Sequence, residues 1–313
     1  MGINLRLAKK FFPQRIGGGN FDDAGQINKF EKIERAAEEA VENFHNRISM
    51  RMDTGEPDDM VASSAIEALC CEVKKCDSRG HADGGRVEFR EAASEYMRSK
   101  FGVSMNTQTE IVHSAGIKSA LAFYAAYWVS IFNASGAMDV AIEFHSMSNG
   151  FAMTGWRIGW ICGNEKLIEA CSYVGERTNA GQFLAMQKAS AQMLGNLFIA
   201  ENNASKCCDR MGKIAQILKD CGFAIAPAKA GFFIYAGIPC ATECTGRMVN
   251  FSSSEQFSLW MVDAFGIVTI TWDEVEPLVR FSAAFGHRDM EDWEIIDLFV
   301  VRMANVRFKF YKN

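Results

Sequence analysis

Proline is scarce in this chain of 313 residues: only five prolines occur, and none lies between Pro57 and Pro227. Proline presets the backbone of common β-turns, and X-Pro turns often separate the elements of an α/β sheet. The middle third of the chain therefore lacks a kind of turn that such proteins commonly use. Internal repeats, low-complexity linkers and long charged blocks are also missing, so domain boundaries must come from the alternation of helix and strand patterns.

An excess of basic charge is missing as well. The chain has 33 lysines and arginines against 38 aspartates and glutamates, a net charge of −5, which gives no general attraction to nucleic acid or to an anionic membrane. No apolar run approaches the length of a membrane span, and Arg6, Lys9 and Lys10 lie where a signal peptide would need its apolar stretch. We therefore expect a cytoplasmic protein whose partners are small polar molecules or other proteins.

The ten cysteines lie mostly inside apolar runs, which predicts buried, reduced thiols rather than a disulfide framework. Cys240 and Cys244 have the spacing of two metal ligands, but no second pair or nearby histidine completes a set. The sequence therefore predicts no metal site.

Hydrophobic periodicity predicts an α/β protein. Helical patterns cover 29–48, 61–76 and 88–101, where Gly102 ends the last of them. Short apolar runs at 140–144 and 157–161 predict buried strands. After Asn164 the pattern predicts helices at 164–177, 182–199, 204–220, 254–265 and the C-terminus, and strands near 223–226, 231–236, 266–270 and 278–283. We expect the basic and aromatic tail 307–312 to be a frayed end that folds its rings onto the last helix.

Residues 143–163 read EFHSMSNGFAMTGWRIGWICG. This run resembles the lysine-bearing segment of the class I/II aminotransferases, which are fold type I enzymes that depend on pyridoxal 5'-phosphate, and specifically the LL-diaminopimelate aminotransferase-like group. Further motifs of that family occur in the expected order at 15–18, 29–33, 55–58, 113–119, 231–235, 271–274 and 279–282. The resemblance thus covers nearly the whole chain.

The lysine of that family motif is missing, because Asn149 occupies its position. The lone pair of an amide nitrogen is delocalised into the carbonyl, so asparagine cannot condense with the cofactor aldehyde. Without the family in mind, Asn149-Gly150 is an ordinary turn dipeptide between two strands.

The resemblance implies a PLP-dependent transferase-like (fold type I) α/β architecture with a shortened large domain. The predicted parts are an N-terminal arm with part of the small domain (1–50), a shortened cofactor-binding large domain (51–203) and a C-terminal small domain (204–313). Between Leu121 and Tyr124 the family would insert a long stretch with an Asn-Asn-Pro-Thr-Gly turn, and this chain has no such stretch. Part of the parallel sheet should therefore be missing or rebuilt.

The resemblance also implies where pyridoxal phosphate would bind. Ser146 and Arg157 match the phosphate ligands of the family, a hydroxyl donor and a guanidinium suited to a dianion. Gly116, Ile117 and Lys118 match a loop at a helix N-terminus whose N–H groups would hold the same phosphate, although Ile117 replaces a family serine.

Two positions match the part of the family site around the cofactor ring. Tyr127 matches the tyrosine that reaches a ring oxygen, whereas Tyr124 replaces the aspartate that holds the pyridinium nitrogen protonated. A neutral phenol cannot stabilise that cation as a carboxylate does. For the substrate, Arg280 matches the arginine that binds the α-carboxylate and Gly55 falls in a second substrate-binding motif.

Plainer interpretations of several residues stay open. Arg157 and Arg280 lie in apolar patterns and would form structural ion pairs if buried. Lys118 is equally well explained as a solvated residue in a helix first turn. His113 and His145 are expected to be hydrogen-bonded core or edge residues rather than acid–base catalysts.

Three functions follow from these observations. The first is an aminotransferase-family protein that is catalytically impaired, whose active relatives move an amino group from an amino acid such as LL-diaminopimelate to 2-oxoglutarate, and which is expected to be a homodimer. The second is a noncatalytic protein that binds pyridoxal phosphate, or an inactive subunit paired with an active homologue. The third is a remnant that folds poorly because the missing strands expose sheet edges.

Overall fold

The computed structural model describes residues 29–43, 50–53, 55–58, 61–78, 80–82, 84–116, 130–178, 182–225, 231–244, 247–273, 276–285, 290–304 and 306–310. In these ranges the α-helices are α1 (Lys29–Asn43), α2 (Ser63–Val73), α3 (Val87–Phe101), α4 (Ala137–Val140), α5 (Met147–Gly150), α6 (Glu165–Thr178), α7 (Leu184–Leu194), α8 (Leu197–Asp220), α9 (Ser254–Phe265) and α10 (Asp292–Ala304). The strands are β1 (Met50–Arg51), β2 (His81–Ala82), β3 (Ile111–Ser114), β4 (Ile142–Ser146), β5 (Gly159–Gly163), β6 (Gln182–Phe183), β7 (Phe233–Gly237), β8 (Ala241–Cys244), β9 (Arg247–Asn250), β10 (Ile267–Val268), β11 (Ile270–Trp272), β12 (Leu278–Ser282) and β13 (Arg307–Lys309). The predicted α/β class is confirmed.

Local sequence explains why several helices begin and end where they do. Gly102 follows α3 at φ 72°, a left-handed conformation that glycine adopts without steric penalty, and its N–H donates to the Arg98 carbonyl at 3.0 Å. The Ser253 hydroxyl accepts from the Gln256 N–H at the start of α9, and Gly266 ends that helix at φ 62°. Helix boundaries of this kind can be predicted from capping residues alone.

The described strands form small sheets. A three-stranded sheet has the order β3-β5-β4, and both outer strands run antiparallel to β5. Two further three-stranded sheets have the orders β11-β12-β7 and β13-β8-β9, also with antiparallel neighbours. Among the described pairs only β1 and β10 run parallel, which agrees with the expectation of a reduced parallel sheet.

Two large hydrophobic clusters contain most of the described core. The central cluster packs α2, α3, α5 and α7 against β5, with Phe89 and Trp160 among its fully buried side chains. The C-terminal cluster packs α9, α10 and the second half of α8 against β7 and β12. Helix α8 contributes Ile199 near the first cluster and Met211 to the second, while the predicted domain boundaries at 50/51 and 203/204 stay a prediction.

The predicted frayed tail is wrong. Residues 307–309 form β13, which pairs antiparallel with β8, and the Cys240 N–H donates to the Lys309 carbonyl at 2.8 Å. The rings of Phe308 and Phe310 pack on Phe223, with centroid distances of 5.0 and 5.1 Å, and lie against the C-terminal cluster. The tail is therefore ordered by packing on Phe223 and by pairing with β8, both of which are distant in sequence.

The expectation of buried cysteines is wrong in part. Cys162 is buried, but Cys70, Cys71, Cys76 and Cys208 are exposed. Amphipathic helices explain the difference, because an apolar run in a helix always places some positions outside. Cys70, Cys71, Cys76, Cys162 and Cys208 are free thiols, and the side chain of Cys244 lies outside the described residues.

Candidate cofactor and substrate site

The register of the β3-β5-β4 sheet brings three predicted site segments to one edge. Ser114 and Ser146, the last residues of β3 and β4, both pair with Gly159, the first residue of β5. Gly116 follows β3 by two residues and Arg157 precedes β5 by two. Because β3 and β4 both run antiparallel to β5, their last residues and the first residue of β5 lie at the same edge, and these separate segments converge there.

Gly116 lies directly against the guanidinium of Arg157. A Cβ atom added to Gly116 would lie 2.3 Å from Arg157 Nη2, and Gly116 has φ 77°, so only glycine fits there without strain. The Arg157 side chain is exposed and its Nη1 donates to the Thr154 carbonyl at 2.9 Å. A backbone that approaches a guanidinium this closely, at a water-accessible sheet edge, fits a bound phosphate group.

Arg157 itself is not the first residue of a strand, as predicted, but a left-handed residue at φ 52° before β5. Left-handed backbone is uncommon for residues other than glycine and requires support from the surrounding structure. The buried Gln182 side chain supplies it, because its Nε2 donates to the carbonyls of Trp156 and Arg157 at 3.2 and 2.6 Å. Gln187 Nε2 in turn donates to the Gln182 carbonyl at 2.9 Å.

Sequence reasoning missed these two glutamines. Gln187 is fully buried in α7, and its Oε1 accepts from the Arg86 N–H at 2.7 Å. A polar residue on the apolar face of a predicted helix is the one signal that indicates such a role. Nothing in the sequence links Gln182 to Arg157, which lies 25 residues earlier.

Asn149 lies in α5, the single helical turn that follows β4, and its side chain is exposed. The Ser146 hydroxyl caps this turn: it accepts from the Ser148 N–H at 3.1 Å and donates to the Ser148 hydroxyl at 2.9 Å. The turn therefore presents the Ser146 hydroxyl and the side chain at position 149 from the same sheet edge as Gly116. Asn149 is accordingly part of a short helix rather than a β-turn between strands.

Arg280 lies in β12 and is 8% exposed, with its guanidinium carbon 4.1 Å from the centroid of the Phe233 ring and 6.0 Å from that of Trp272. Its Nη2 donates to the Asp53 carbonyl at 2.9 Å. Gly55 lies near the same ring, because a Cβ atom added to it would be 3.8 Å from the Phe233 ring. The two predicted substrate-binding positions therefore share one aromatic neighbour.

The guanidinium of Arg280 has an unfilled hydrogen-bonding position. Its Nε is buried and has no acceptor in the described part of the chain, and no carboxylate there forms an ion pair with it. The nearby Asp53 carboxylate pairs with Arg51 instead, at 2.8 Å. Burial lowers the pKa of Arg280, although a guanidinium stays charged at neutral pH. A desolvated cation with a free donor fits an incoming carboxylate, and it does not fit a structural ion pair.

Helix α8 connects the two parts of the candidate site. Near its start, Asn203 Nδ2 donates to the Gly150 carbonyl at 3.0 Å, next to Asn149. Two turns later, about 10 Å along the axis, Arg210 pairs with Asp58, which follows Gly55 by three residues, at 2.7 Å. One rigid element thus holds the turn with Asn149 relative to the segment that contains Gly55.

Four predicted cofactor-binding residues, Ile117, Lys118, Tyr124 and Tyr127, lie outside the described residues. Their roles stay predictions. The described residues thus fit the phosphate end of pyridoxal phosphate and a substrate carboxylate.

A further cluster on the same sheet was not predicted. Glu143, His145 and Cys162 lie on adjacent strands with their ligand atoms all within 4.8 Å of one another. Burial alone would raise the pKa of the Glu143 carboxyl, but hydrogen bonds from His145 and Ser130 hold it below its ordinary value. His145 Nε2 is 2.9 Å from Glu143 Oε2, which confirms the expectation that His145 is hydrogen-bonded. Alternate residues of a strand share one face, and this is the signal that could have suggested the pair.

Comparison with known proteins finds relatives that cover most of the chain. The family model for aminotransferase class I and II matches residues 121–293. The LL-diaminopimelate aminotransferase of Methanocaldococcus jannaschii is 26% identical, with 90% of this chain and 91% of the relative covered. The alignment extends over 386 positions, whereas this chain has 313 residues. The chain is therefore shorter than this relative, as predicted.

Solved structures of aminotransferases share the fold. The aspartate aminotransferase of Rhizobium meliloti superposes with a TM-score of 0.73 at 14% identity and covers 91% of this chain and 98% of its own. The N-succinyldiaminopimelate aminotransferase of Mycobacterium tuberculosis gives a TM-score of 0.68 at 16% identity, with 89% and 100% covered. At these identities the likeness shows the fold alone. Among the described helices none has both the length and the apolar character of a membrane span.

Proposed function

Because the chain belongs to the class I and II aminotransferase family, we propose that it is an aminotransferase-family protein whose transaminase activity is impaired. Family membership implies pyridoxal phosphate as the cofactor and amino acids and 2-oxo acids as substrates. LL-diaminopimelate, named for the relatives, is the amino acid that we propose first. The cofactor supplies the electron sink for chemistry at the amino acid α-carbon when it is bound.

One observation supports the proposal of impairment: the motif resemblance assigns the family lysine to position 149, and an exposed asparagine of α5 lies there. An amide can neither bond covalently to the cofactor nor move a proton at the substrate α-carbon. General acid–base catalysis alone contributes about 10²–10⁴-fold in typical enzymes, so the loss is large.

The remaining residues support binding. We propose that Arg157, the Gly116 backbone and the Ser146 hydroxyl hold the cofactor phosphate, because they converge at one sheet edge. We propose that the Arg280 guanidinium, which has no carboxylate partner in the described part of the chain, binds the substrate carboxylate, with Gly55 close to the same ring of Phe233. Ser146, Arg157 and Arg280 each add a contact to charge worth about 1.5–3 kcal/mol.

A noncatalytic binding protein is the second candidate, and the intact anion-binding groups beside a substituted lysine favour it. In that case the chain holds pyridoxal phosphate or another phosphate ligand noncovalently, or acts as an inactive subunit beside an active homologue. A homodimer and a cytoplasmic location are further proposals, suggested by the family and by the free cysteines.

Covalent trapping tests the proposed function. The purified chain and an Asn149→Lys variant are mixed with pyridoxal phosphate, reduced with borohydride and analysed by peptide mass mapping. We expect the variant to carry an adduct at position 149, whereas the wild type releases its cofactor on dialysis. An Asn149→Gln variant, which also lacks an amine, is the matched control and should behave like the wild type. A phosphate-dependent adduct on a native lysine of the wild type, together with turnover, would contradict the proposal.

Gly116→Ala should weaken binding of pyridoxal phosphate by about tenfold or more, because the new Cβ displaces the Arg157 guanidinium from its position. Gly155→Ala is the matched control, since a Cβ at Gly155 meets nothing within 4 Å. Both affinities can be measured by isothermal titration calorimetry. Equal losses in the two variants would show that Gly116 and Arg157 do not form the phosphate site.

A further inference from the structure

The cluster of Glu143, His145 and Cys162 is built by the pairing of β4 and β5. Glu143 and His145 are alternate residues of β4, so their side chains lie on one face of the sheet. Cys162 is the direct partner of Glu143 on β5, which places its thiol on the same face. Sheet register therefore brings a carboxylate, an imidazole and a thiol together, with their ligand atoms within 4.8 Å of one another.

Neighbouring groups hold two of the three side chains in place. The Ser130 hydroxyl donates to Glu143 Oε1 at 2.8 Å, and the Ile131 N–H also donates to that oxygen. Oε2 is left to face His145 Nε2 at 2.9 Å. The His145 ring stacks on Trp160, with a centroid distance of 4.9 Å and an interplanar angle of 6°. Such outer contacts are the kind that orient metal ligands in proteins.

We propose that Glu143, His145 and Cys162 form a site for a divalent transition metal of the zinc type, with water as the fourth ligand. The proposal does not depend on the proposed function, and His145 lies on the face of β4 opposite to that of its neighbour Ser146. Sulfur, imidazole nitrogen and carboxylate oxygen are the atoms that zinc binds, and three protein ligands with one open position are a common arrangement.

Charge and distance agree with this assignment. On binding, the thiol proton leaves to solvent as the metal–sulfur bond forms, so a dication meets one thiolate and one carboxylate and the site is neutral. Ligand atoms around a tetrahedral zinc lie roughly 3.3–3.7 Å apart, and the ligand atoms here lie within 4.8 Å of one another, so no pair has to close by more than about 1.5 Å. Glu143 and His145 are partly exposed, which gives water access, while Cys162 is fully buried.

Cobalt titration of the full chain tests the site, because Co²⁺ bound to a thiolate shows a charge-transfer absorption band in the near ultraviolet. We expect this band in the wild type. The Cys162→Ala variant should bind one equivalent of cobalt less, as measured by the band. Cys171→Ala is the matched control: Cys171 is a free, half-buried cysteine that packs on the opposite face of the sheet, against Ile161, and its removal should leave the band unchanged. Zinc should displace the cobalt and abolish the band.

Two more variants keep the test decisive if the change in the buried Cys162 disturbs folding. His145→Gln should lower the cobalt affinity at least tenfold. Ser130→Ala removes a hydrogen bond that orients Glu143, together with the acceptor of the Phe132 N–H, and should lower the affinity about 10–100-fold. Cobalt bound only at exposed thiols such as Cys70 and Cys71 would give the same band in all variants. That result, or the absence of a band in the wild type, would overturn the proposal.

Discussion

Replacing Arg210 by methionine is expected to lower the free energy of unfolding by about 3 kcal/mol. Arg210 is 3% exposed and donates hydrogen bonds to the carboxylates of Asp58 and Asp292 and to the Ala283 carbonyl. Burial alone would lower the pKa of Arg210, but these carboxylates raise it above its ordinary value. The substitution would leave two acidic groups without their counter-charge. Asp292 is 43% exposed and solvent screens it, so the loss should lie at the low end of the usual 3–5 kcal/mol.

Chemical denaturation followed by circular dichroism measures this change. Arg98→Met serves as the matched control, because Arg98 pairs with Glu95 at 2.5 Å on the exposed face of α3. Solvent screens exposed pairs of this type, so the control should be nearly neutral. Equal losses of stability in the two variants would show that the buried ion pairs of Arg210, which connect α8 to Asp58 and to α10, do not stabilise the fold.

Local signals in the sequence predicted most helices well. The predicted ranges 88–101 and 254–265 agree with Val87–Phe101 and Ser254–Phe265, because Gly102, Ser253 and Gly266 mark their ends. Short strands such as β13 were missed, since strand pairing depends on a partner far away in sequence. Residues 307–309 become a strand only because 241–243 lie beside them.

The sequence likewise predicted some residues of the candidate site and missed others. The long motif at 143–163 predicted Ser146 and Arg157, the motif at 113–119 predicted Gly116, and the fold brings all three to one edge. The support of Arg157 by Gln182 was beyond prediction, because a hydrogen bond from a side chain to a distant carbonyl leaves no periodic trace. Cross-strand register likewise hides the proximity of Cys162 to Glu143 until the sheet is known. Sequence thus identifies inherited contacts, while the groups that position them require the fold.

The same substitution at a second buried arginine should leave the stability almost unchanged. Arg280→Met is expected to change the free energy of unfolding by less than about 1 kcal/mol, because the lost cation–π contacts offset the relief of burying a charge without a counter-charge. The same variant should lose its affinity for a carboxylate ligand by about 10–100-fold, the equivalent of one charge-assisted hydrogen-bonded contact. Arg280 is therefore expected to affect ligand affinity without a matching effect on stability, whereas Arg210 is expected to affect stability.

Calorimetric titration with 2-oxoglutarate in the presence of pyridoxal phosphate measures the affinity, and denaturation of the unliganded protein measures the stability. Arg280→Lys makes the test sharper, because it keeps the charge but loses the Nε donor and the planar guanidinium that can bind a carboxylate with two hydrogen bonds. We expect Arg280→Lys to bind almost as weakly as Arg280→Met. A large loss of stability in Arg280→Met with unchanged affinity would instead make Arg280 a structural residue. The free donor at Nε, buried with no acceptor in the described part of the chain, argues against that outcome, since a purely structural arginine would have its donors satisfied by the fold itself.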